Sequence, residues 1–197
     1  MKKTHWIILI SLLVLSSCSK KEHYLTRVDK LMTPYQLNDT VYGIDSQGEK
    51  ITLVIREINS YVETFGHNDW LLEESQLIRI QSTNNDLSIN ISVNGKDNGK
   101  KYRSLHVTPI INTMYLFNTN AYLYYDATGI FMTDTTGTPK RFVYDSLAID
   151  NQMYHDIVYY CNQSPQEELY YNKTNGILQV KKDGKNVFTL QEYIPAR

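Results

Sequence analysis

Cysteine is scarce in this chain: there are two in 197 residues, Cys18 and Cys161. Two cysteines cannot build the multiple-bridge framework of a small secreted scaffold, so a folded state must rest on packing. Tryptophan is limited to Trp6 and Trp70, and proline and glycine are modest at 5 and 9. Those levels exclude collagen-like repeats and low-complexity tracts. Neither sign of charge dominates, with 20 Lys and Arg against 21 Asp and Glu. A balance this near neutrality argues against a nucleic-acid partner and against a polybasic membrane patch. Patterns for a nucleophile elbow, a zinc-binding HExxH, a phosphate-cradling glycine loop or a calcium loop are lacking too. The chain is therefore expected not to be an enzyme and to carry no cofactor or metal.

One long apolar run is present, and it stands at the start. Met1–His5 is short and basic, and Trp6–Leu15 is apolar apart from Ser11. A basic start, an apolar stretch of this length and a small-residue exit read as a secretory signal. The stretch is too short to span a bilayer, which needs about 20 apolar residues. Its exit, Leu15-Ser16-Ser17-Cys18, resembles the lipobox of bacterial lipoproteins. That resemblance implies cleavage before Cys18, a diacylglycerol thioether on its sulfur and acylation of the new amino terminus. Ser19, in place of the Asp that would retain an enteric lipoprotein in the inner membrane, implies the outer membrane, on its periplasmic or cell-surface face. The expected organisation is a signal peptide over 1–17, a lipidated Cys18 with a charged, solvated tether over 18–30, and one β-rich domain over 31–197. With Cys18 committed to lipid, Cys161 has no partner, and its apolar setting in Ile157–Cys161 predicts a buried, inert thiol.

Tyrosine is abundant, at 16, and 12 of these follow residue 100. Tyrosine suits strands and half-wet surfaces. Leu87–Val93 alternates apolar and polar residues at every step, the period of a half-buried strand. Asn94-Gly95 and Asp97-Asn98-Gly99 read as the following turn, and Tyr102–Val107 as the return strand. Further strands are predicted at Lys50–Ile58, Gln76–Ser82, Thr113–Asn118, Ala121–Asp126, Gly129–Thr133, Arg141–Asp145 and Met153–Cys161. Glu168–Lys173, Ile177–Lys182 and Val187–Tyr193 should form a meander through turns at Asn175-Gly176 and Asp183-Gly184. Asp69–Glu74 reads as at most one short helix capped by Asp69. The expected fold class is all-β: a mostly antiparallel, strongly curved sheet, either a partly closed barrel or a sandwich.

Two stretches are similar to outer-membrane lipoproteins of Bacteroides and its relatives. The first is Pro34–Tyr42 with Ser46–Leu53, although that group has a turn Gly and a Trp about where Asn38 and Tyr42 stand. The second is Asp150–Val158 followed by Leu169–Val180, a hairpin with paired aromatics, a Lys and a turn Gly. The resemblance implies architecture and address, not activity. It also implies O-glycans at Asp, then Ser or Thr, then an aliphatic residue or Thr, which nominates Thr40, Thr135 and Ser146.

Chemistry-bearing clusters are few. In His67-Asn68-Asp69-Trp70 an imidazole neighbours a carboxylate and an indole, the raw material of a glycan hydrolase; a capped polar loop explains the same residues. His155-Asp156 lie side by side in a predicted strand and so should face opposite ways. His106 reads as a structural strand histidine. If Tyr122 and Tyr124 share a face with Tyr115, they form an aromatic platform for glycan or peptide, with Trp70 a further stacking candidate; cross-strand pairing that merely steadies the sheet is the plainer account. The function expected is a non-catalytic, membrane-anchored domain that binds a glycan, peptide or envelope protein. The alternatives are a hydrolase using His67 and Asp69, and a structural or assembly component of an outer-membrane complex.

Overall fold

A computed structural model describes residues 21–30, 32–65, 71–84, 86–96, 103–116, 121–126, 129–133, 139–140, 143–163 and 166–196. The alternation that marks Leu87–Val93 extends through most of the chain, and strands follow it. In order they are β1 (Lys21–His23), β2 (Thr40–Ile44), β3 (Lys50–Phe65), β4 (Leu71–Ser82) and β5 (Leu87–Lys96). Then come β6 (Arg103–Ile111), β7 (Met114–Tyr115), β8 (Ala121–Asp126), β9 (Gly129–Thr133) and β10 (Pro139–Lys140). The last are β11 (Val143–Ile149), β12 (Gln152–Gln163), β13 (Gln166–Asn172), β14 (Gly176–Lys182) and β15 (Lys185–Ile194). One helical turn, α1 (Arg27–Lys30), stands among them.

Tight turns set the registers. Asn112-Thr113, Asp150-Asn151 and Asp183-Gly184 each join two strands, and all six residues have positive φ. A two-residue loop with both φ positive matches the right-handed twist of the strands it connects. Asn38 also has a positive φ, 69°. Asn tolerates that region better than other side chains, so the turn forms there without a glycine.

The strands form one sheet in the order β10-β9-β8-β6-β5-β4-β3-β2-β15-β14-β13-β12-β11. Every neighbouring pair along this path is antiparallel, and only β1 on β4 is parallel. The sheet curls until β12 approaches β8 and β9 without hydrogen-bonded closure among the described residues. The architecture is therefore all-β and strongly curved, as the alternation predicts. Its concave face holds a single apolar cluster: Ile55, Ile78, Ile80, Ile89, Ile91, Leu105, Leu123, Leu169, Tyr171, Val180 and Phe188 are all buried.

The N-terminal segment fills one end of the concavity. Leu25, Met32 and Tyr35 belong to the apolar cluster. The Tyr171 hydroxyl donates to the Met32 carbonyl at 2.7 Å, and the Ile177 amide donates to the Tyr35 hydroxyl at 2.8 Å. Asp29, fully buried, accepts from the Thr26 amide at 2.5 Å and pairs with Arg103. Leu25 N donates to Glu74, and Lys30 pairs with Glu74 at 3.0 Å. The solvated tether expected over 18–30 thus joins the fold from Lys21 onward, because these backbone and charged groups find partners on β4 and β6.

Four local expectations are corrected. Leu71–Glu74 is strand, not helix, because Leu71–Ser75 pair with Tyr61–Phe65 and Leu71–Glu73 also pair with β1; tertiary pairing overrides local propensity. Asn94-Gly95 lies inside β5 as a register shift and is no turn. Of the strand expected over Thr113–Asn118, Met114–Tyr115 are strand and Thr113 and Leu116 are not, while 117 and 118 lie outside the described residues. Cys161 is exposed, because its position in β12 points away from the core. The last meander forms as expected. Strand β2 was not among the predicted strands: it has five residues, one of them Gly43, and carries little alternation.

Candidate functional site

The convex face of β4, β5, β6 and β8 is built from cross-strand rows. Because residues directly opposite one another share a face, the registers fix what lies side by side. Gln81, Ser88, Ile110 and Tyr115 make one row across four strands. Arg79, Asn90 and Thr108 make the next. Leu77, Ser92, His106 and Tyr122 follow, and then Ser75, Asn94, Ser104 and Tyr124. Rows on one face are two residues apart, about 7 Å. The spacing of apolar residues on the core face thus places a polar band on the other.

Part of this band is concave. A groove of about 790 Å³ is lined by Arg79, Gln81, Ser88, Asn90 and Asn112 among others. It meets a second cavity of about 470 Å³ at Asp86, Leu87 and Asn112 on the rim formed by the hairpin turns. The second cavity opens into the sheet, with an apolar floor of Ile51, Leu87, Ile111 and Val187 and a rim of Asp45, Asp86, Lys182 and Lys185. Both signs of charge are balanced there. In the groove, Arg79 is held by Glu57 at 2.8 Å, and the buried Asn90 Oδ1 has no hydrogen-bond partner. Buried amide oxygens nearly always find a donor, so Asn90 marks where the groove can still accept one.

The expected tyrosine platform takes its place against these rows. Tyr115, Tyr122 and Tyr124 all fall on the convex register, so the shared face on which the platform depends is present. Tyr115 is 69 % exposed and Tyr124 half-buried; the side chain of Tyr122 lies outside what the structure describes. Tyr115 stands two rows from Tyr122, about 14 Å along the strands, and so flanks the groove separately. His106 bonds Ser104 Oγ at 2.9 Å, the satisfied strand histidine that its setting predicts. His155 and Asp156 are both exposed; Asp156 has a φ of 53°, which breaks the strict alternation. Ser146 is exposed on β11 and Thr40 half-buried on β2, while Asp39 beside it is buried and bonds the Gln36 and Ala196 amides and the Tyr193 hydroxyl. Cys18, His67, Asp69, Trp70 and Thr135 lie outside the described residues. Among the described residues no group of His, Cys, Asp or Glu is placed to hold a metal, and no helix is long and apolar enough to cross a membrane.

A second aromatic group, not predicted as a platform, sits on the convex face of the opposite limb. Tyr159 and Tyr170 pair across β12 and β13 with centroids 4.8 Å apart, and Tyr144 meets Tyr159 edge-on at 6.1 Å. The Tyr170 hydroxyl donates to Glu168 at 3.2 Å, and Lys181 lies over the Tyr170 ring and 3.4 Å from Glu168. Burial, reinforced by Glu168, pushes the Tyr170 phenol up to about 12. Burial and a hydrogen bond with Cys161 likewise raise that of Tyr159. The adjacent pairs Tyr159-Tyr160 and Tyr170-Tyr171 carried the signal: in a strand, one of each pair must face outward. Closed on itself through Glu168 and Lys181, this ladder is a cross-strand brace.

Comparison of the chain with protein-family models, with curated proteins and with solved structures finds no match.

Proposed function

We propose that this chain is an envelope lipoprotein, anchored in the outer membrane through acylated Cys18, whose β-domain binds a glycan without chemical turnover. One observation carries the binding reading: four cross-strand rows place hydrogen-bonding side chains in and beside a groove of about 790 Å³, and three of the rows end on a tyrosine. Sugars present hydroxyl groups that need both donors and acceptors, and C–H faces that lie well against aromatic rings. Arg79 donates, the Gln81, Asn90 and Asn112 amides do both, Ser88 does both, and Tyr115 offers an exposed ring beside them. The rows continue for about 20 Å, so the face suits an extended oligosaccharide better than a single sugar. The anchor reading is supported by the Leu15–Cys18 exit and the apolar run before it.

Glycan-array binding followed by calorimetry tests this. The wild-type protein is expected to bind one class of oligosaccharide, and Tyr115→Ala should weaken that binding about tenfold, or 1.4 kcal/mol, with an unchanged melting temperature. A blank array, or equal affinity of wild type and Tyr115→Ala for the bound glycan, overturns the groove as a glycan site. Cleavage of the bound glycan would instead favour the hydrolase reading, and loss of that cleavage in His67→Ala would assign it.

A further inference from the structure

Strands β3 and β4 are longer than anything beside them. β2 pairs with β3 only over Lys50–Val54, and β5 pairs with β4 only over Ser75–Gln81. The pairing of Tyr61–Phe65 with Leu71–Ser75 therefore projects past the sheet as an arm, with β1 as its lateral strand among the described residues. Tyr61 is 39 % and Val62 50 % exposed. Adjacent strand residues point to opposite faces, so Tyr61 and Val62 present exposed side chains on the two faces of the β3 half, while Glu73 and Ser75 of the β4 half are buried. Tyr24, which follows β1, is 52 % exposed.

The direction of β1 decides what this arm meets. Lys21 pairs with Leu71 and His23 with Glu73, in parallel. Running backward from Lys21, the chain therefore heads the same way as running backward from Leu71, toward the arm's tip. Cys18 is three residues before Lys21, at most about 10 Å of extended chain. The Lys30–Glu74 pair and the bond from Leu25 N to Glu74 fasten the same segment to β4. The lipid on Cys18 cannot leave the neighbourhood of the arm without unpairing β1.

We infer that the β3–β4 arm is the membrane-contacting end of the protein, with Tyr24, Tyr61 and Val62 at headgroup level beside the acyl chains. Tyrosine suits that depth, because its ring favours the apolar side and its hydroxyl the wet side. The occupant is a phospholipid surface. The arm fixes orientation: Arg79 lies four residues along β4 from Ser75, the partner of Tyr61, about 13 Å, so the groove stands above headgroup level. This inference rests on the lipoprotein reading of Cys18 and adds to it a specific face.

The test uses full-length, lipidated protein in vesicles of phosphatidylethanolamine and phosphatidylglycerol. In a Cys161→Ser background, Val62→Cys and, separately, Gln47→Cys on the β2–β3 turn carry an environment-sensitive nitrobenzoxadiazole dye. Val62 should emit further to the blue with vesicles and be quenched by lipid-borne nitroxide, while Gln47 should do neither. A vesicle-bound, lipidated protein whose Val62 dye stays aqueous overturns the inference and leaves the anchor standing. An N-terminal peptide that carries no lipid by mass overturns both. Shielding of Val62 that needs no vesicles and grows with protein concentration means that a second copy covers the arm, and also overturns it.

Discussion

The two limbs of the sheet solve the same problem with different side chains. From β3 to β6 the concave face is aliphatic: Ile55, Ile78, Ile80, Ile89, Ile91, Val93, Leu105 and Val107. From β12 to β15 aromatics join the core, Tyr154, Tyr160, Tyr171 and Phe188, beside Ile157, Val158, Leu169, Ile177, Leu178, Val180 and Leu190. Aliphatic residues need only shape to bury well. A buried phenol also needs a partner for its hydroxyl, since an unpaired one costs about 1–3 kcal/mol. That need ties the aromatic limb to the N-terminal segment through Tyr171 to Met32, Tyr35 to Ile177 and Tyr193 to Pro34. The β12–β15 limb thus grips residues 32–35, while Ile55 of β3 holds Asn38 and Asp39.

The strongest way to break the comparison is Gly176→Ala. Gly176 has a φ of 77°, and an added Cβ would overlap the buried Tyr35 ring. Displacing that ring should cost about 3–5 kcal/mol, the scale of losing a core aromatic, read as a fall in the urea midpoint. Alkaline pH should come next. Burial raises the phenols of Tyr35 and Tyr171 well above the usual value of 10.0. The unfolded chain then releases their protons first, so stability is complete below pH 10 and falls as pH rises toward the folded-state values. The slope is about 1.4 kcal/mol per phenol per pH unit. Denaturant titrations at pH 9 and 11 should differ accordingly, and an unchanged midpoint would refute the burial of these phenols. The smallest effect, about 1–2 kcal/mol, belongs to Tyr171→Phe, which keeps the ring and orphans the Met32 carbonyl. Hydrogen exchange should quicken over residues 25–36 and stay slow in β4 and β5. Uniform quickening would mean that the limbs do not differ in this way.

Much of this division was legible. Strict alternation in Leu87–Val93 and the turn pairs Asn175-Gly176 and Asp183-Gly184 reported local geometry, which a single chain carries in its own residues. Tyr122 and Tyr124 share a parity on β8 that a period of two implies, whereas the place of Tyr115 depends on the pairing of β6 with β7. What alternation could not report was pairing between distant strands. Leu71–Glu74 looked helical because its partners, residues 61–65 and 21–23, are fixed only when the sheet forms. The Arg79–Asn90–Thr108 row was invisible for the same cause: its members are ordinary polar residues until three strands align them. Cys161 misled because its apolar neighbours Val158 and Tyr160 face the core, while it shares the opposite parity with Tyr159.

The reach of the N-terminal segment has a consequence for the order of events. The contacts that seat it join residues 139, 142 and 159 positions apart, close to the ends of the folded chain. Contacts so distant in sequence are slow to form, because loop closure must be met before they return any stability. A chain emerging amino terminus first exposes Cys18 long before Tyr171, Ile177 and Tyr193 exist to capture residues 32–36. Residues 32–36 therefore stay unseated until the last two hairpins exist, and the domain is completed from its carboxyl-terminal end.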